Sequence, residues 1–191
     1  MYDGVFREFR RGFASSEAEI ARAEAALGFA LPDSYRSFCR ECGAGRANAQ
    51  FRIATPLPFE APDLVARSGL IAHSVGAAIR ALDDNPAFAG TPFRFEIEGG
   101  DTGILDRACF FGEGEDGAFL FWDVQGTGEY DIWVMGADLE TVRFGGETLV
   151  AFLRATQGAG VRTILGPAAE PLPARFEGID EAILARADAD G

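Results

Sequence analysis

Carboxylates are the residues of this chain best able to do chemistry, and they are crowded. Ten acids lie between Glu96 and Asp131: Glu96, Glu98, Asp101, Asp106, Glu113, Glu115, Asp116, Asp123, Glu129 and Asp131. Only Arg107 opposes them, so this stretch carries −9 of the chain's −13. Two carboxylates flanking a bond can hydrolyse a glycoside, and Asp123 and Glu129 are the nearest approach to such a pair. They flank a short glycine turn, where acids serve turn chemistry anyway, and no cleft signature accompanies them. The other use of such a stretch is electrostatic: an anionic surface that mimics nucleic acid and covers the basic site of a protein partner. Glu96, Glu98, Asp101, Glu113, Glu115, Asp116, Glu129 and Asp131 are the residues expected to meet that partner.

Three further patterns have a bland reading that fits better. Gly112-Glu113-Gly114-Glu115-Asp116-Gly117 has the G-x-G-x-x-G spacing. A dinucleotide site needs a helix after that loop, to hold pyrophosphate at its N-terminus. Here a strand pattern follows, and three carboxylates in the loop would repel phosphate, so a tight turn is expected. Cys39-x2-Cys42 falls late in an amphipathic segment, not at a strand-to-helix junction. Zinc would need two more ligands, and only Cys109 and His73 are available, so buried thiols are expected. His73 is the single histidine, so any histidine acid–base pair must use it, yet its helical stretch carries no motif. No catalytic residue, metal or cofactor is expected. A hydrolase using the clustered acids remains as an alternative.

The elements that would position these residues follow from periodicity. Val5, Phe6, Phe9 and Phe13 recur at helical spacing and predict a first short helix. Ser16 and Glu19 form a capping box ahead of a helix whose apolar face is Ile20, Ala23 and Leu27, with Gly28 as its left-handed end. Pro32 opens the next helix. Tyr35, Phe38, Cys39 and Cys42 form its apolar stripe, and Gly43 and Gly45 end it. A short strand is expected over 49–53 and a proline-interrupted loop over 55–58.

A helical pattern runs from Pro62 to about Asp84, with Gly69 or Gly76 as a possible break. Asn85-Pro86 stops it. Phe93, Phe95 and Ile97 alternate with polar residues as in a half-buried strand. After a loop over 99–103 comes a meander, with strands over 108–111, 118–124, 130–135 and 141–144 and a helix from about Gly146. Trp122 and Trp133 lie on adjacent strands of it. Residues 158–173 read as a Gly/Ala/Pro linker. Phe176, Ile179, Ile183 and Leu184 read as one last short helix, and residues from Ala185 onward as frayed.

Bulk properties narrow the class. A chain of 191 residues, 48% hydrophobic with 17 Phe, is expected to bury one good core. Every basic residue is Arg, and the net charge of −13 argues against nucleic acid as a direct ligand. Three cysteines do not make a disulfide framework and suggest a reducing compartment. The N-terminal residues lack the apolar core of a secretory signal. No run approaches the roughly 18 apolar residues of a membrane span. A cytoplasmic protein, not associated with membranes, is expected.

Two signatures together resemble a known family. The first is Ile20-x6-Leu27-Gly28-x2-Leu31-Pro32-x2-Tyr35-x2-Phe38-x4-Gly43. The second is Phe110-Phe111-Gly112, Phe121-Trp122-Asp123, Ile132-Trp133-Val134, Val142-x-Phe144 and Leu149-x2-Phe152-Leu153. From Ser16 to Ala155 the chain resembles the SMI1/KNR4 family of the SUKH superfamily. The resemblance implies an α+β fold, with a central and mainly antiparallel sheet packed by helices on one side. With the change of composition after Gln157, residues 1–157 are expected to form the domain and 158–191 a Gly/Ala/Pro-rich linker and short C-terminal helix or tail. The resemblance also implies a non-enzymatic binding protein: bacterial members look like immunity proteins that neutralise toxins, often nucleases, and eukaryotic members like regulators or scaffolds. The family has no shared catalytic residues to carry over.

Overall fold

The computed structural model describes residues 1–84 and 96–189. The strand expected at Phe93 and Phe95 and the stop at Asn85-Pro86 lie outside those residues. Among the described residues, nine strands form a single sheet. The first half of the chain supplies β1 (Glu8–Arg10), α1 (Glu17–Leu27), α2 (Asp33–Glu41), β2 (Gly45–Ala47), β3 (Phe51–Ile53) and α3 (Leu64–Asp83). Then follow β4 (Glu96–Ile97), a 3-10 turn at Thr102–Leu105, β5 (Ala108–Gly114), β6 (Phe119–Asp123), β7 (Ile132–Met135) and β8 (Thr141–Gly146). Last come α4 (Leu149–Thr156), α5 (Val161–Leu165), β9 (Arg175–Gly178) and α6 (Glu181–Ala189). The spatial order is β1-β9-β2-β3-β5-β6-β7-β8-β4. Only the two outermost pairs, β1 with β9 and β4 with β8, are parallel. The fold is therefore α+β around a mainly antiparallel sheet, as expected.

The local signals act as their chemistry requires. Ser16 Oγ accepts from the Glu19 N–H, and Glu19 Oε2 accepts from the Ser16 N–H at 2.6 Å, a complete capping box. Gly28 closes α1 at φ +82°, where a side chain would be strained. Tyr35, Phe38, Cys39 and Cys42 are fully buried along one side of α2. Neither Gly69 nor Gly76 breaks α3, which is continuous for 20 residues.

Strand alternation sorts the core into two layers. Leu120 and Trp122 of β6, with Ile132 and Val134 of β7, point into the layer that holds Ile20, Tyr35, Phe38 and Phe152 from α1, α2 and α4. Phe121 and Met135 point to the opposite face, where Ile71, Val75 and Ile79 of α3 cover them. Helices on one side is thus correct for α1, α2 and α4, while α3 carries its apolar stripe under the other face. The two tryptophans also separate. Trp122 stacks on Phe111 with ring centroids 4.1 Å apart, inside the main layer. Trp133 packs against Phe144 on the α3 side.

Three expectations are corrected at the chain ends. The predicted first helix is strand β1, because its aromatic residues meet a partner far along the chain. Phe6 and Phe9 pack on Phe176, with centroids 5.4 and 5.7 Å away. The stretch read as a linker holds α5, whose Val161 and Ile164 are buried. Phe176, read as helical, belongs to β9, which lies between β1 and β2. Ile183 and Leu184 do lie in a last helix, α6.

Candidate functional site

Most of the acids are engaged within the chain. Arg107 holds two of them: Nε donates to Asp123 Oδ1 at 2.6 Å, and its NH2 nitrogen donates to Asp101 Oδ2 at 2.8 Å. The Arg107 hydrogen bond keeps the exposed Asp101 carboxyl below its usual range. Glu113 pairs with Arg67 of α3. Glu115 faces Arg46 at 3.4 Å and Arg52 at 3.9 Å. Asp116 accepts from the Ala118 N–H inside the β5–β6 turn, Glu98 accepts from the Phe144 N–H, and Glu129 accepts from Ser34.

Asp131 and Glu96 have no ion-pair partner among the described residues. Asp131 is the informative one. Its carboxyl is pushed up, first by partial burial and then by the negative charges of Glu147 and Asp123. Burial disfavours the charged carboxylate, and the neighbouring acids add to that effect. Asp131 thus lies near Glu147 and Asp123, between the β6–β7 turn and the start of α4. Asp123 and Glu129 do not converge as an acid–base pair, because Arg107 holds one and Ser34 the other.

The remaining sequence candidates fall where the bland readings put them. The G-x-G-x-x-G loop is the β5–β6 hairpin turn, with Gly117 at φ +87°. Cys39 and Cys42 are buried free thiols, each pushed up to about 12 by desolvation. His73 is exposed on α3. Among the described residues, no three His, Cys, Asp or Glu side chains gather as metal ligands. No helix among them is long and apolar enough to cross a membrane.

The opposite half of the sheet carries a feature that sequence reasoning missed. Arg10, Glu177, Arg46, Arg52 and Glu113 are register neighbours on β1, β9, β2, β3 and β5, a charged row across five strands. Arg46 donates to Glu177 Oε2 through both Nε and NH2, at 3.0 and 2.5 Å. The alternation in G-R-A, F-R-I and R-F-E-G is its only sequence trace, in strands too short to stand out. Beside the row, a cleft of about 300 Å³ opens between α3 and α6, lined mostly by apolar residues.

A mainly antiparallel sheet layered with helices defines an α+β domain, an architecture consistent with the SUKH type. Residues 14–155 match the model of the SMI1 / KNR4 family (SUKH-1), and the chain belongs to that family. A search of curated proteins found no match.

Proposed function

We propose that this protein is a cytoplasmic, non-enzymatic binding protein that neutralises a cationic toxin domain, of the nuclease type, through its acidic surface. Membership of the family supports a protein-binding role. The observation that carries the electrostatic part is the stretch from Glu96 to Asp131, with ten acids opposed by Arg107 alone. Such a stretch attracts and steers a cationic partner. The partner surface is Asp131 and Glu129 at its centre, with Glu96, Glu98, Asp101, Glu113, Glu115 and Asp116 around it. Those already paired with arginines contribute less, since a partner must compete with the internal ion pair.

The experiment is a pull-down from the source organism followed by a toxin-protection assay. Association should slow steeply as salt rises, because screening shortens the steering field to about 8 Å at physiological ionic strength. A rate indifferent to salt would remove the electrostatic mechanism. Co-purification with a cellular complex, without protection, would favour a regulatory or scaffold role instead.

A further inference from the structure

The cleft between α3 and α6 shares only Glu113 with the proposed acidic surface, and its chemistry is different. Its walls include Ile71 from α3 and Leu184 from α6, and its volume is about 300 Å³. That is near the lower end of small-molecule sites, which run from roughly 300 to 1,000 Å³. Arg52, Arg67 and Glu113 also line it, so its lining is net positive in a chain of net charge −13.

Arg67 is occupied by Glu113. Arg52 is not: its side chain is 64% exposed and approaches Glu115 only at 3.9 Å. Its planar fork is therefore available for a carboxylate, the geometry guanidinium groups bind in bidentate fashion. Thr55 lies in the same wall, fully buried, and its Oγ1 has no hydrogen-bond partner among the described residues. Buried hydroxyls are normally satisfied, so an orphan behind this wall is exceptional in the core.

The far wall is α6, which lies beyond the family-matched residues 14–155. It is held by the buried Leu184 and by Asp188 Oδ1, which accepts from the Ala61 N–H at 2.9 Å.

We propose that this cleft binds a small carboxylate bearing a short apolar tail, with the tail between Ile71 and Leu184 and the carboxylate on Arg52. The same chemistry is offered by a free small acid and by the C-terminal residue of a peptide. The inference does not rest on the toxin-binding reading: its contacts are Arg52, Ile71 and Leu184, none of which belongs to the acidic surface.

The test is calorimetric titration of the full chain with hexanoate, with 1-hexanol, and with acetyl-Gly-Leu as free acid and as amide. Saturable binding of an acid is expected. The uncharged counterparts should bind at least about tenfold more weakly, the scale set by losing one charge-assisted contact. Arg52→Gln should weaken acid binding by a similar factor without moving the melting temperature, and Leu184→Trp should fill the cleft and abolish binding. Tighter binding of hexanoate than of the dipeptide acid would mark a small free acid as the ligand. The reverse would mark a chain terminus, and either result supports the site. Absence of saturable binding by both acids overturns the proposal. So does equal binding of acid and uncharged probe, or acid binding unchanged in Arg52→Gln.

Discussion

The carboxylate of Glu129 accepts two hydrogen bonds from Ser34, one from its backbone N–H at 2.6 Å and one from its Oγ at 2.7 Å, across 95 residues of chain. Ser34 stands in the first turn of α2, whose N-cap is Pro32 and has no side-chain cap of its own. A turn acid from the β6–β7 connection therefore satisfies the helix start and places negative charge at its positive end. Ser34 is a hub beyond this pair. Its carbonyl accepts from Tyr2 Oη at 2.9 Å, and its Oγ accepts from the Leu149 N–H at 3.2 Å. The start of α2, the meander and the start of α4 are thus joined at one serine.

This junction gives the first prediction. Ser34→Ala and Glu129→Ala should each destabilise the fold by about 1.5–3 kcal/mol, the usual worth of a hydrogen bond to a charged group. The double variant should cost less than the two singles together, because both remove the hydrogen bond between Ser34 Oγ and the Glu129 carboxylate. Urea unfolding of the four proteins measures the coupling. Strict additivity would show that the pair contributes nothing in solution.

Phe176 is the second test. It is 1% exposed and its ring meets Phe6, Phe9 and Phe38 at centroid distances of 5.4, 5.7 and 5.5 Å. Phe176→Ala should cost about 3–5 kcal/mol, the range for deleting a buried aromatic side chain. Amide exchange should accelerate first in β1, which among the described strands pairs only with β9. An unchanged midpoint would contradict the placement of β9 within the sheet.

Asp131 gives a pH test. Its folded-state carboxyl is raised, by burial first and then by Glu147 and Asp123. The folded state therefore holds that proton more tightly than the unfolded chain does. The contribution is favourable below the unfolded value, near pH 4, and is lost as pH rises through the folded one. Asp131→Asn should melt at a higher temperature than the parent at pH 7, by less than about 1 kcal/mol in stability given its exposure. The two should converge near pH 3.5.

The thiols supply a fourth prediction. Burial pushes Cys39 and Cys42 up to about 12 and raises Cys109 as well. Thiolate is the reactive form, so none should react with a disulfide reagent in the native protein at pH 8. All three cysteines of the chain should react once it is unfolded.

What the sequence made legible was local. The Ser16–Glu19 box, the Gly28 cap and the stripe from Tyr35 to Cys42 are decided by neighbours three or four residues away, and each stands as read. The meander was legible because its turns are short and its strands sit beside their sequence neighbours. Strands β1 and β9 were not. Three or four residues cannot display a period of two, and the aromatic spacing from Val5 to Phe13 mimics a helix until Phe176 arrives to cover it. The acids were visible as charge but not as partners: Arg46, Arg52 and Arg67 come from elements that only the fold brings near Glu113 and Glu115.

The position of β9 also sets a timetable. A chain made from its N-terminus has β1 and β2 in hand early, yet the strand that belongs between them is the last of the described strands to be synthesised. Until about residue 178 is free, the nascent protein must carry an unmet edge on β2 and an unanchored aromatic arm, both of which invite wrong pairings. Assembly of the sheet is closed from the inside, by its latest arrival, so this protein is most vulnerable to aggregation and proteolysis while it is still being born.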